Sequence, residues 1–454
     1  MRKNNMLTGS PIKTIVFFSL PIMLSSLLQY NYSLVDNIIV GRYVSTDALA
    51  AVGNVGPIGS FLIGAAFGLT SGFTIPVAHA FGAGDKRKLS HYAGNSITIS
   101  AIVGVAIIIV AHILTRPLLK AIGTPSEIID LSAAYMNILY FGVPFQMLSN
   151  NFTAISRAVG ESKKPLYFFI VSVIVNFVLD LLFVKNFKWG VEGAAWATLI
   201  ANAVAALLTG IYVIKYNKDV EIKKSDLKPN MATAWEQIKL GIPVSLQFTI
   251  TSIGSMCLQS AVNSFGANVI AGFTAAGRVE NLTNIPMSGL GVATQTFVGQ
   301  NYGARNYERI TKSVKKIFIA DIVVSVIMSL TLYLIGLPTV SLFMTEPNAA
   351  IMAAAKQYII ATAECYSLVA ILFVLRNTLQ GLGFTYSNMI AGAGEFFGRL
   401  AVAFVFTKII GFNAVCYAAP AAWLLADIPL AIIYLSKHKK FKALAAEQKA
   451  KSNI

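Results

Sequence analysis

Twelve apolar blocks, each about 20 residues or more, run through this chain from one end to the other, and each is long enough to cross a hydrocarbon core of about 30 Å as a helix. Their approximate limits are 13–38, 48–78, 92–120, 128–156, 164–186, 190–215, 236–263, 269–298, 313–344, 350–378, 386–408 and 413–436. Lipid cannot satisfy backbone N–H and C=O groups, so a spanning chain must be helical or a closed barrel. A barrel would need alternating segments of about ten residues, and none is present. The expectation is an all-α polytopic membrane protein with twelve transmembrane helices. Only 12% of the 454 residues are charged, about half the share usual in soluble domains.

The net charge of +16 could point to nucleic acid, but the placement of the charges gives it another cause. With the N-terminus placed in the cytoplasm, twenty-five lysines and arginines fall in inside loops and tails, and six fall in outside loops. That bias sets orientation, with both termini cytoplasmic in a plasma membrane, and attraction to anionic lipid follows from it. No nucleic-acid partner is expected. Cys257, Cys365 and Cys416 have no metal-ligand or disulfide spacing, and the four histidines are dispersed. There is no nucleophile–base constellation and no Walker-type loop, so neither an enzyme nor direct ATP drive is expected, and no cofactor is implied.

The chain repeats itself at an offset near 222 residues. Ser19-Leu20-Pro21 aligns with Gly241-Ile242-Pro243, and Gly82-Ala83-Gly84-Asp85 with Gly303-Ala304-Arg305-Asn306. Thr124-Pro125 aligns with Glu346-Pro347, and Ala158-Val159-Gly160 with Gly381-Leu382-Gly383. Six spans per half give two parallel repeats, the organisation of transporters that open one cavity alternately to each side. The expected division is an N-lobe over 1–216, a solvated cytoplasmic linker over 217–234 and a C-lobe over 235–454.

Two acids stand in wholly apolar surroundings: Asp36 in SLVDNIIVG and Asp180 in VIVNFVLDLLFV. A carboxylate at bilayer depth costs roughly 2.5–3.5 kcal/mol on insertion scales, and acids kept there commonly bind a proton or cation. Asn176 and Asp180 are spaced i, i+4 and project from one helix face. A carboxylate and an amide oxygen suit a hard cation such as Na+. With protons instead, the two acids would titrate as a unit. The spacing leaves Na+ and H+ both open. An alternative for the acids is hydrogen bonding that only ties helices together.

Several stretches resemble the multidrug and toxic compound extrusion (MATE) family, in its bacterial NorM-like or DinF-like type, over nearly the whole chain. They are FSLPIM with Asp36 beyond it, GAGDKRKL, RAVGESKKP, Asn176 with Asp180, GVEGAAWAT, and GRVENLTNIPMSGLGVATQTFVGQNYGA. The resemblance implies two six-helix lobes around a V-shaped cavity. It implies export of cationic amphipathic compounds in exchange for Na+ or H+. It places a cation site on Asp36, Asn176, Asp180 and Thr198, a cavity tyrosine at Tyr135, and a bend at Pro21. Some members of that family carry an acid in span seven, but the stretch VSLQFTITSIGSMCLQSAVN here has none: Gln247, Thr249, Thr251 and Gln259 are polar but uncharged.

Arg278 and Glu280 are two apart and point to different faces. Glu280, Arg278 and Gln247 are candidate substrate contacts, and an ion pair of Glu280 with Arg376 or Arg399 is the alternative. Glu395 and Arg399 are an i, i+4 pair in the favourable order. Asp321 and Asp427 read as off-centre and near loops. Tyr30, Tyr32, Tyr140 and Phe145 are further candidate liners, through stacking and cation–π contact. The expected activity is a secondary antiporter for small organic cations, working as a monomer in the lipid bilayer. A lipid-linked oligosaccharide flippase shares the lobe architecture, but it needs a basic lumen, whereas the half with the acid pair is acidic.

Overall fold

The computed structural model describes residues 6–121, 123–342 and 348–452. Glu346 and Pro347 of the repeat match, and Arg2 and Lys3 of the basic N-terminus, lie outside the described residues, as do the side chains of Pro57 and Lys451. The described residues form helices and connecting turns, with no strand among them.

Twelve helical paths follow the twelve apolar blocks. They are α1 (Pro11–Tyr43), α2 (Thr46–Phe73, continued by Ile75–Gly82), α3 (Lys86–Ala121) and α4 (Ser126–Ala158). Next come α5 (Lys163–Asp180), α6 (Gly190–Ile211), α7 (Met231–Asn263), α8 (Ala267–Gly303) and α9 (Tyr307–Ser341). The last are α10 (Ala349–Glu364 and Tyr366–Gly381, bent by 53°), α11 (Tyr386–Ala401) and α12 (Ala418–Ser452). Among the described residues, ten helices are long and apolar enough to span a membrane, eleven with the bent α10. α8 is equally long but more polar, carrying Arg278, Glu280 and several amides.

The burial pattern is that of a protein dissolved in lipid. On α3 the stripe Ile102, Val105, Ile109 and Ile113 is exposed at helical spacing, so its apolar face points outward. Small residues lie where helices meet. The α6 positions Ala194, Ala197, Ala201 and Ala205 are buried, and a Cβ on Gly104 of α3 would stand 2.7 Å from the Pro144 Cα of α4. With no hydrophobic force between helices in lipid, such close backbone approach supplies the packing.

The two sequence halves repeat each other in backbone detail. Gly84 and Arg305 occupy the same left-handed turn, with φ of 72° and 55°. The turns close alike: Asp85 N bonds Ala80 O at 3.1 Å and Asn306 N bonds Asn301 O at 2.8 Å. Gly160 and Gly383 repeat the pattern with φ of 85° and 86°. α5 runs into a π-helical turn at Leu181–Asn186, and α11 into another at Val402–Phe406.

Contacts sort the described chain into two compact units: residues 24–245, and residues 6–23 together with 246–452. The division thus exchanges the leading parts of α1 and α7 relative to the sequence halves. Phe18 and Ile22 of α1 sit in a core with Phe297 and Ile310, and Asn301 Nδ2 donates to Met6 O at 3.1 Å. Gln237 of α7 donates to Phe73 O at 2.9 Å and to Tyr92 O at 2.8 Å. The switches fall after Met23 and after Ser245, two residues beyond Pro21 and Pro243.

The linker is less free than its polarity suggests. α7 begins at Met231, and a 3₁₀ turn forms at Lys224–Leu227. Thr98 Oγ1 donates to Leu227 O at 2.7 Å, and Asn230 N donates to Asn95 Oδ1 at 3.0 Å. Lys223 and Lys224 stay exposed while the backbone docks on α3.

Candidate functional site

Asp36 on α1, Asn176 and Asp180 on α5, and Thr198 on α6 come together inside the first unit. With the amide oriented to satisfy its neighbours, Asn176 Nδ2 donates to Asp36 Oδ1 at 3.0 Å and to Asp180 Oδ2 at 3.1 Å. One amide group therefore spans both acids, and those two carboxylate oxygens stand no more than about 6 Å apart, the sum of the two bonds. Asp180 and Thr198 also lie beside Asp36, near enough to act on its carboxyl group. The amide oxygen accepts from Tyr32 Oη at 3.2 Å, and the same hydroxyl lies 3.2 Å from Thr198 Oγ1.

Asp180 is fully buried, and its Oδ1 has no hydrogen-bond partner. A buried carboxylate oxygen left so is costly unless a proton or cation meets it. Asp180 is the last α-helical residue before the π-helical turn at Leu181–Asn186, and such turns often mark functional positions. The equivalent turn in the second half follows Ala401, with Phe397 at the place of Asn176. The backbone feature is duplicated; the acid is not. Tyr135 of α4 is buried beside the pair, close enough to feel the charge of both acids.

No group of three or more His, Cys, Asp or Glu side chains among the described residues could hold a metal. Two carboxylates with hydroxyl and amide neighbours fit a monovalent cation or a proton rather than a transition metal.

The remaining candidates fall in the second unit. Arg278 is exposed and Glu280 faces inward, as two-residue spacing requires. Glu280 accepts from Tyr358 Oη at 2.5 Å and from Asn284 Nδ2 at 3.3 Å, and the charge of Arg399 acts on it. Tyr366 Oη stands 2.6 Å from Thr283 Oγ1 and donates to Asn284 Oδ1 at 3.1 Å. Gln247 is buried where α7 meets α11, its Cα 3.0 Å from the Cβ position of Gly392. The Glu395–Arg399 pair forms at 3.3 Å, and Arg376 of α10 pairs with the other oxygen of Glu395. Pro21 lies within a helix that continues through it.

Asp321 and Asp427 correct the sequence reading. Both are buried, and none of their carboxylate oxygens has a hydrogen-bond partner. Asp321 lies fourteen residues into α9, about 21 Å along its axis, far from any loop. Tyr32, taken from the sequence only as a liner, bonds within the acid site; its i, i+4 relation to Asp36 was the available signal. Tyr358 left no such signal, because it reaches Glu280 across 78 residues of chain.

Twelve membrane helices in two equivalent sets, with buried acids facing inward, define a multi-pass membrane transporter. The chain belongs to the MatE family, whose model matches residues 21–182 and 243–433, and whose members are transporters rather than enzymes. The two matched stretches begin at Pro21 and Pro243, one in each repeat. The chain is 28% identical over 378 residues to the probable multidrug resistance protein YoeA of Bacillus subtilis, covering 82% of this chain and 81% of that one. It is 25% identical over 436 residues to the multidrug export protein MepA of Staphylococcus aureus, covering 95% of each. Among solved structures, a MATE protein in the bent conformation superposes with a TM-score of 0.90 at 25% identity, covering 98% of this chain and 99% of that one. A MOP superfamily transporter from Pyrococcus furiosus, described as having a binding pocket of reverse polarity, superposes with a TM-score of 0.88 at 25% identity over the same shares.

Proposed function

We propose that this protein is a secondary antiporter that exports small organic, mostly cationic amphipathic compounds in exchange for Na+ or H+ held between Asp36 and Asp180. The supporting observation is the single amide of Asn176 bonded to both acids beside a buried, unpartnered oxygen of Asp180. In that arrangement the N–H groups neutralise part of the field between the carboxylates. A Na+ ion entering the pocket is better served by the opposite amide orientation, with the oxygen turned to the ion and Thr198 as a further ligand. A proton needs no such turn, because it can sit directly between the two carboxyl groups. Tyr32, bonded to the amide oxygen and beside Thr198, couples the amide to α6 in either case.

Binding at α1 and α5 affects transport if it biases the path of α1, and Pro21 gives that helix its hinge: a proline removes one helical hydrogen bond and strains the preceding turn. In this scheme Tyr135, buried beside the acids, is the cargo contact of the first unit; Glu280, Arg278 and Gln247 are candidate cargo contacts carried by the second. The protein works as a monomer with both termini cytoplasmic, the orientation its loop charges favour.

The test is dye efflux from proteoliposomes with a sodium gradient or a pH gradient imposed separately. One gradient should drive transport by the wild type and fail to drive it in Asp36→Asn. Equal transport by that variant would remove the acid pair from the mechanism.

A further inference from the structure

A groove of about 770 Å³ runs between α9 and α12 in the second unit, floored by Ile371 and Leu375 of α10. Along α9 its wall is built from Glu308, Lys312, Lys315 and Ile319, at helical spacings of four, three and four. Along α12 it is built from Leu435, His438, Lys442 and Lys449 on one stripe. Both walls change character in the same direction: apolar toward the middle of each helix, basic toward the N-terminal end of α9 and the C-terminal end of α12.

We propose that this groove is a binding site for one anionic phospholipid, its phosphate held among the lysines and an acyl chain laid in the apolar trough. The mouth carries four lysines against one glutamate. Glu308 pairs with Lys312 at 2.5 Å and also feels the charge of Lys449, which leaves a positive excess for an incoming anion. Lysines from two different helices meet there, so one phosphate can engage both. Basic pockets between membrane helices are suited to anionic headgroups.

The trough identifies the source of that phosphate. Ile319 is 56% exposed and Leu435 57% exposed, an apolar surface that a free inorganic anion would leave uncovered. Lys442 stands seven residues beyond Leu435 on α12, about 10 Å along the axis. That separation matches the step from headgroup to hydrocarbon in a lipid lying along the groove. Bound there, the lipid would bridge the cytoplasmic-type ends of α9 and α12 and hold them together.

Native mass spectrometry of the full-length protein with added phosphatidylglycerol tests this. The wild type should retain one phosphatidylglycerol in preference to phosphatidylcholine. The variant K312Q/K315Q/K442Q should bind it about 100-fold more weakly, at roughly a factor of five per lysine, while the corresponding arginine variant retains it. Ala431→Phe, which fills the trough and leaves every lysine in place, should also reduce retention. Undiminished retention in either the glutamine variant or Ala431→Phe overturns the proposal. So does equal retention of phosphatidylcholine, displacement of the lipid by inorganic phosphate, or a second copy of the chain covering the groove.

Discussion

Replacing Asp36 by Asn removes one charge from the acid pair while keeping the side chain's size. Two unit charges about 4 Å apart interact by about 4 kcal/mol at the effective dielectric of about 20 that suits such sites. A cation between Asp36 and Asp180 loses an attraction of that order when one carboxylate goes. The loss corresponds to about a 1000-fold weaker cation affinity, at about 1.4 kcal/mol per decade. Asp180→Asn should cost a similar amount, and because ion-driven efflux needs both acids, either loss alone should take transport to its floor, so that the double variant transports little worse than either single one. The measurement is ion-driven dye efflux in proteoliposomes across a range of Na+ concentrations and pH for the four members of the cycle. Thermal melting of each detergent-solubilised protein confirms that it is folded. Losses that simply add, or an Asp36→Asn protein with wild-type ion dependence, would refute the view that the two acids act as one site.

Three stability predictions rest on other features. Glu395→Gln strips the common partner from Arg376 and Arg399, whose side chains are 12% and 11% exposed. It should destabilise the protein by about 3–5 kcal/mol, the cost of breaking a buried ion pair from one side; an unchanged melting temperature would show that water or Asp427 already serves the arginines. Arg305→Gly relieves a non-glycine residue at φ 55° and should stabilise by about 0.5–1 kcal/mol after the entropy of the unfolded chain is counted, seen as a higher melting temperature. Gly381→Ala places a Cβ 2.6 Å from Gln295 O and 3.1 Å from Val298 Cβ. Overpacking of that kind should cost about 1–3 kcal/mol, and normal melting would mean that α8 and α10 separate easily.

The helices were legible because lipid imposes a length on each apolar block. Spans read as 190–215 and 386–408 fall on helical paths of Gly190–Tyr216 and Tyr386–Ile410. The meeting of Asn176 with Asp180 was legible through their four-residue spacing, and the turn shared by Gly84 and Arg305 through the repeat. Asp321 was misplaced because Lys315 and Lys316 close before it suggest a loop, whereas α9 starts earlier, at Tyr307, and carries those lysines on its first turns. The docking of the linker on Thr98 and Asn95 left no trace, since backbone carbonyls and amides are the partners there. The π-helical turn after Asp180 also escaped, because no residue type marks where one extra residue enters a helix. Contacts made through tertiary packing, such as Tyr358 with Glu280, have no periodic signature at all.

The exchange of leading segments bears on how the protein can be made. A gene cut between residues 217 and 230 would yield two products, each holding an arm that belongs to the other's core. The first fragment would lack residues 231–245 and display Phe18 and Ile22 with nothing to cover them. Each unit is therefore incomplete after its own half alone: the first lacks its last segment until residue 245 has been made, and the start of α1 finds its core partners Phe297 and Ile310 only when synthesis of the second is well advanced.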